Sequence, residues 1–253
     1  MEPGIYVLQP YAHLIPLVRK AKRVGLRLLF LKPSETHGAI KKYRNVFCGL
    51  TPLPLIVTYK LQVWIGPMVY TDGFSPSVII ASRVARTELC ECKRLLVTSE
   101  SIASYSLARI LASVVCGGES VIIKRSLDPV SEARREDCIL LIGDKGIRIY
   151  SSRKFHVVTD LASLYRKTFG FDPVFAATAG ECSIIQDKLS KLKRLEPTLT
   201  DILGAYNTLH VPLPTVIEYL RYTRLDYNPE LLRLNIALLQ KYQHLIKPQP
   251  TTT

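Results

Sequence analysis

No apolar run in this 253-residue chain approaches the roughly 20 residues that a membrane-crossing helix needs. No secretory leader is expected either. Glu2, Pro3, Pro10, His13 and Pro16 break up the apolar N-terminal stretch, and no basic segment precedes it. A cytoplasmic protein is therefore expected. The chain lacks internal repeats, low-complexity tracts, a nucleotide loop, a catalytic triad and any metal motif, so no cofactor and no metal are expected. Its six cysteines, at 48, 90, 92, 116, 138 and 182, do not form zinc pairs: Cys90-Glu-Cys92 is too tight for a CxxC, and no second pair answers it. Free buried thiols are expected, with disulfides reserved for a hyperthermophilic source.

Positive charge is abundant. Lys and Arg outnumber Asp and Glu by 34 to 21, a net charge of +13, but the excess is spread. Its densest patch, Arg19, Lys20, Lys22, Arg23 and Arg27, alternates with apolar residues as the solvated face of a first helix would. Such a surface draws in small anions as readily as nucleic acid. No zinc-finger or RNA-recognition signature accompanies it, which leaves nucleic acid the weaker reading.

Short β-like runs alternate with helical patterns over the first 180 residues. Strands are expected at Ile5–Leu8, Leu28–Leu31, Val46–Leu50, Val63–Ile65, Ser77–Ser82, Leu95–Val97, Val121–Ile123, Ile139–Ile142 and Val174–Ala177. Helices are expected at Leu14–Gly25, Ser34–Tyr43, Ala103–Val115 and Thr159–Thr168, with Ser34 as a cap. Beyond Ala179 the pattern is helical: a segment through Ile185, Leu189 and Leu192, then Thr200–Leu209 and Thr215–Tyr222. A last helix opens at Asn228-Pro229 and runs to about Ile246, ahead of a frayed KPQPTTT tail. This alternation argues for an α/β fold on mostly parallel sheets.

The stretch Leu95–Leu111, LLVTSESIASYSLARIL, carries the clearest chemistry. A buried strand runs through Thr98, Ser99, Ser101 and Ser104 directly into a helix. The first helical N–H groups have no intrahelical acceptor, and the positive end of the helix dipole lies there, so the turn suits a carboxylate or phosphate. The same serines could serve only as helix caps.

Several segments in order resemble the chorismate dehydratases of the futalosine route to menaquinone: PYAHLIPLV, PSETHGAI, TDGFSPSVIIASR, SESIASYSLARIL, LLIGDKGI, DLASLYRKTFGFDPVFAATA and IEYLRYTRLD. The resemblance spans nearly the whole chain. It implies a two-domain fold of the type II periplasmic-binding-protein kind, with a cleft between domains and a helical C-terminal tail packed on the first domain. Domain 1 would comprise residues 1–82 and 178–253, and domain 2 residues 83–177. It also implies removal of water from chorismate, giving 3-enolpyruvyl benzoate. The sister enzyme that makes dihydroxynaphthoate is a more distant match. His13 stands where the family has an asparagine, and Ser101-Ile102-Ala103-Ser104 replaces its Ser-Arg-Thr-Ser. These departures keep open a non-catalytic binding protein for a small carboxylate.

The expected site therefore has His13 as catalytic residue and Thr51, Ser82, Ser101, Ser104 and Asp144 as substrate contacts, around a small anionic ligand. Thr51 and Ser82 are chosen as hydroxyls at strand ends facing the cleft. Asp144 is chosen as the residue after a buried strand, where capping is the structural alternative. Paired with a ligand carboxylate, His13 would gain basicity, and affinity would then weaken as pH climbs through neutrality.

Overall fold

The computed structural model describes residues 1–117 and 121–246. The KPQPTTT tail lies outside the described residues.

The first half of the first sheet is laid down in βα steps: β1 (Ile5–Leu8), α1 (Ile15–Arg23), β2 (Arg27–Phe30), α2 (Pro33–Tyr43), β3 (Cys48–Pro52) and α3 (Leu53–Tyr59), followed by the long β4 (Val63–Thr71). The α2 helix starts on Lys32 as N-cap, with the Glu35 carboxylate accepting the Lys32 N–H, so Ser34 lies inside the first turn rather than at the cap. Then β5 (Ile79–Ser82), β6 (Arg94–Thr98), α4 (Ile102–Val115), β7 (Ile122–Ser126), α5 (Pro129–Glu132), β8 (Cys138–Leu141), α6 (Gly143–Ser152), β9 (His156–Asp160) and α7 (Leu161–Phe169) build a second sheet. Its order is β7-β6-β8-β5-β9. Every residue of β8 is buried, as its unbroken apolar run CILL requires with both faces covered.

The chain returns in β10 (Val174–Gly180), which inserts antiparallel between β3 and β4. It continues as α8 (Gln186–Ser190), α9 (Leu199–Leu209), α10 (Leu213–Tyr222), β11 (Thr223–Arg224), α11 (Pro229–Lys241) and α12 (Gln243–Ile246). The two-residue β11 pairs with β4 and completes a first sheet ordered β11-β4-β10-β3-β1-β2. Each sheet with its helices makes one lobe. The crossings lie at 72–78 and 170–173, ahead of the boundaries expected at Ser82 and Thr178, since β5 already pairs with β8 and β9.

The helical tail spans both lobes instead of only the first. The α11 helix packs on α3 and β10, whereas α12 reaches α4 of the second lobe. Asn228 caps α11 by accepting the Leu231 N–H at 3.0 Å, with Pro229 at the first helical position as anticipated. Buried Asn235 then fastens the helix, accepting from Tyr165 Oη and the Val174 N–H and donating to the Asp172 and Leu231 carbonyls.

The expectation of free thiols is overturned: none of the cysteines is free. Cys48 bonds Cys182, Cys90 bonds Cys116 and Cys92 bonds Cys138, with Cα separations of 5.1, 5.3 and 5.6 Å. Spacing misled because Cys90 and Cys92 sit in a short 3-10 turn (Leu89–Glu91) and its exit, where two nearby sulfurs reach different elements.

Candidate functional site

Strands of both sheets end at a cavity of about 90 Å³. The first lobe contributes Gln9, Tyr11 and His13 after β1, Pro52 at the end of β3, Val69 and Thr71 at the end of β4, and Thr223 of β11. The second contributes Glu100 to Ser104 after β6, Ile142 and Gly143 after β8, and Ser77 and Val78 before β5. No lysine or arginine is among the lining residues.

His13 lies in the 3-10 turn Ala12–Leu14 that follows β1. The turn is held from the opposite lobe, where the Asp144 carboxylate accepts the Ala12 N–H at 3.3 Å. The imidazole stacks on Tyr11 and meets Tyr219 edge-on, with Nδ1 2.7 Å from the Tyr219 hydroxyl. Tyr219 is fully buried, and burial raises its pKa, so the phenol keeps its proton. With that proton donated to Nδ1, the ring hydrogen falls on Nε2; this tautomer is assigned from the partners. Burial also lowers the His13 pKa to about 3. In this state the imidazole is therefore neutral.

Ser101 and Ser104 enter the cavity with the start of α4. The Ser101 hydroxyl accepts the Ser104 N–H at 3.1 Å, the capping role foreseen as the alternative. Ile102 and Ala103, in the first turn, have N–H groups without an intrahelical acceptor, and both residues line the cavity. The arginine and threonine expected by resemblance are absent, but these backbone donors remain. Glu100 brings the sole carboxylate of the lining, with the Lys145 ammonium 3.7 Å away.

The other three expected contacts point elsewhere. The Thr51 hydroxyl donates to the Gly49 carbonyl at 3.1 Å, because alternation along β3 turns it from the cavity that Pro52 lines. Ser82 lies at the far end of its strand, its hydroxyl between the Asp137 carbonyl and the Val84 N–H. The reason is direction: β5 runs antiparallel to β8, so its first residues, not its last, reach the cavity. Asp144 is absent from the cavity wall and spends its carboxylate on Ala12, with burial raising its pKa. Next to it Gly143 adopts a φ of +56°, and a Cβ there would stand 2.8 Å from the Tyr11 ring, so the lobes touch where glycine is required.

Sequence reasoning missed several wall residues. Ser75 and Ser77 share a hydrogen bond at 3.2 Å, and Ser77 also bonds Tyr219. Tyr11 Oη, Thr71 Oγ1 and Thr223 Oγ1 are buried without any partner. Tyr11, two positions before His13, could have been found from that neighbour; nothing local marked Thr71 or Thr223.

Among the described residues no group of His, Cys, Asp and Glu gathers as a metal would need, and no helix is long and apolar enough to cross a membrane. What the two sheets and their shared cavity define is a protein of the periplasmic-binding-protein fold. Protein AF1704 of Archaeoglobus fulgidus matches with a TM-score of 0.68 at 12% identity, over 95% of this chain and 96% of its own. The alkanesulfonate-binding protein SsuA of Xanthomonas axonopodis, bound to MOPS, matches with a TM-score of 0.64 at 10% identity, over 98% of this chain and 96% of its own. A Candida albicans protein described as having the generic periplasmic binding protein fold matches at 0.61 and 9% identity, over 98% of this chain and 92% of its own. No curated protein matches the sequence. Residues 51–200 match the family described as menaquinone biosynthesis, and the chain belongs to that family.

Proposed function

We propose that the protein is a lyase of the chorismate dehydratase type, removing water from chorismate to give 3-enolpyruvyl benzoate. The observation that carries this reading is a cavity whose donors are neutral hydroxyl, imidazole and backbone N–H groups, with Glu100 the one carboxylate and Lys145 3.7 Å from it, in a chain of the menaquinone-biosynthesis family. Chorismate is a dicarboxylate with a hydroxyl leaving group and an enolpyruvyl ether, and loss of water makes its ring aromatic. By the resemblance, the enolpyruvyl carboxylate itself takes the proton. A carboxylate held by N–H and hydroxyl groups keeps more of its basicity than one clamped by a guanidinium, which would hold its pKa low. The Ile102 and Ala103 N–H groups would take one carboxylate, and His13 Nε2–H would donate to the substrate across the cleft.

At about 90 Å³ the cavity is smaller than the roughly 150 Å³ that accommodates benzene, so chorismate enters only when the lobes part. That motion has to release the Asp144–Ala12 contact. A second reading, a non-catalytic binder of a small carboxylate, is favoured by His13, Ile102 and Ala103 standing in place of the family's residues. For the site of action we propose the cytoplasm; with three disulfides this requires a hyperthermophilic cell.

Incubation of the purified protein with chorismate tests the choice. Accumulation of 3-enolpyruvyl benzoate is expected. Binding without turnover would select the binding protein, and neither binding nor turnover would overturn both.

A further inference from the structure

Thr71 ends β4 and Thr223 opens β11, and the two are direct partners across that antiparallel pair. Both line the cavity, both are at least nine-tenths buried, and neither hydroxyl has a hydrogen-bond partner. A buried hydroxyl left unpaired costs stability, and two side by side that do not even bond each other cost it twice. Valine has nearly the same shape and would fill either position without that penalty. Directly opposed residues of an antiparallel pair hold their Cβ atoms about 5 Å apart, a spacing at which two hydroxyls can reach one carboxylate. Rotation about χ1 exchanges methyl and hydroxyl at each threonine, and no existing hydrogen bond resists the turn.

We propose that Thr71 and Thr223 form a second carboxylate anchor, on the lobe opposite the α4 N-terminus. The cavity is then bipolar: backbone N–H groups of Ile102 and Ala103 at one pole, two threonine hydroxyls at the other, and apolar Val69, Phe175 and Ala176 beside them. Such a site selects ligands with an acidic group at each end of an apolar body, and it draws the two lobes together by binding one end to each. The inference rests on the dicarboxylate reading of the function and names the residues that take the second carboxylate.

Calorimetry with two unreactive probes, benzoate and isophthalate, tests it on the full chain, alongside chorismate turnover. The wild type should bind isophthalate at least tenfold more tightly than benzoate. Thr71→Val and Thr223→Val should each cost about tenfold in isophthalate affinity, the usual size of a lost hydrogen bond to a charged group, and leave benzoate unchanged. Both variants should melt no lower than the wild type, since each removes an unpaired hydroxyl; a merely structural threonine would do the reverse. An undiminished preference for isophthalate in the double variant overturns the proposal, even if chorismate turnover is intact. A threonine-dependent preference without turnover supports the anchor and sinks only the lyase. A wild type that binds neither isophthalate nor chorismate sinks both.

Discussion

At the strand ends away from the cavity, the molecule is tied down. Cys92–Cys138 joins the loop ahead of β6 to the start of β8, Cys90–Cys116 fixes that loop to the end of α4, and Cys48–Cys182 links the start of β3 to the segment after β10. Asp137 sits in the same region, accepting from Arg94 through both carboxylate oxygens and from the Arg134 N–H. At the cavity ends, by contrast, there is no covalent tie. Three buried hydroxyls go unpaired there, a histidine is held far from its ordinary pKa, and a glycine is required by contact between lobes. Local sacrifices of this kind persist only where the rest of the fold over-determines the structure. The bonds at one end support the strain tolerated at the other.

The largest effect that would break this contrast is loss of the outer bridge. Cys48→Ala with Cys182→Ala opens a loop of 134 residues and should lower stability by about 5 kcal/mol, against about 4 and 3.5 kcal/mol for the 46- and 26-residue loops of the inner bridges. Chemical denaturation of each paired variant reads this order directly. Equal, negligible losses would show that the tied end is not what supports the cavity.

Next in size is the pH dependence set by His13. Its ordinary pKa is 6.5 and its folded pKa about 3, so the unfolded chain takes up a proton that the folded one refuses. The stability tied to neutral His13 is fully present above pH 6.5 and is lost progressively as pH falls toward 3, at roughly 1.4 kcal/mol per unit. Lowering the pH from 6.5 to 4.5 should therefore cost roughly 2–3 kcal/mol, and His13→Gln should remove most of that slope. Ligand affinity should stay level between pH 7 and 8; a steep fall there would restore the charged histidine expected from sequence.

Strand alternation, the α4 turn and the capped start of α11 were legible because each is written in neighbouring residues: apolar period, a serine cap, Asn-Pro. His13, Ser101 and Ser104 reached the cavity for that reason. Ser82 failed because strand direction is a property of the sheet, and sequence alone did not reveal that β5 runs antiparallel to β8. Thr71 and Thr223 were invisible because a two-residue strand makes them neighbours across some 150 positions of chain. The α6 helix was not expected, since Gly143 and Gly146 interrupt its first turn; Gly146 allows the helix to approach the Ser77 carbonyl, 2.2 Å from where a Cβ would stand. Disulfide pairing was beyond reach for the same non-local reason.

The smallest of the expected effects sharpens the contrast at the lobe contact. Gly143→Ala should cost about 1–2 kcal/mol in melting experiments, from a side chain at positive φ and its collision with the Tyr11 ring. Small-angle scattering should show a larger radius of gyration as the lobes are wedged apart. Adding Tyr11→Ala should restore the compact radius but leave the backbone part of the loss; an unaltered radius in the single variant would mean that the two lobes do not close on this contact.

The nesting of the bridges also sets an order of events during synthesis. Both inner bridges lie within residues 90–138, so both can close once Cys138 has emerged, and β9 and α7 complete the second lobe soon after. The outer bridge has to wait for Cys182, forty-four residues later in the chain, a delay of about 2–9 s at ordinary translation speeds. Until then β3 stands with its thiol exposed and without β10 beside it, an open edge next to a finished lobe. The inserted lobe is thus born first, and the lobe that begins and ends the fold is completed around it.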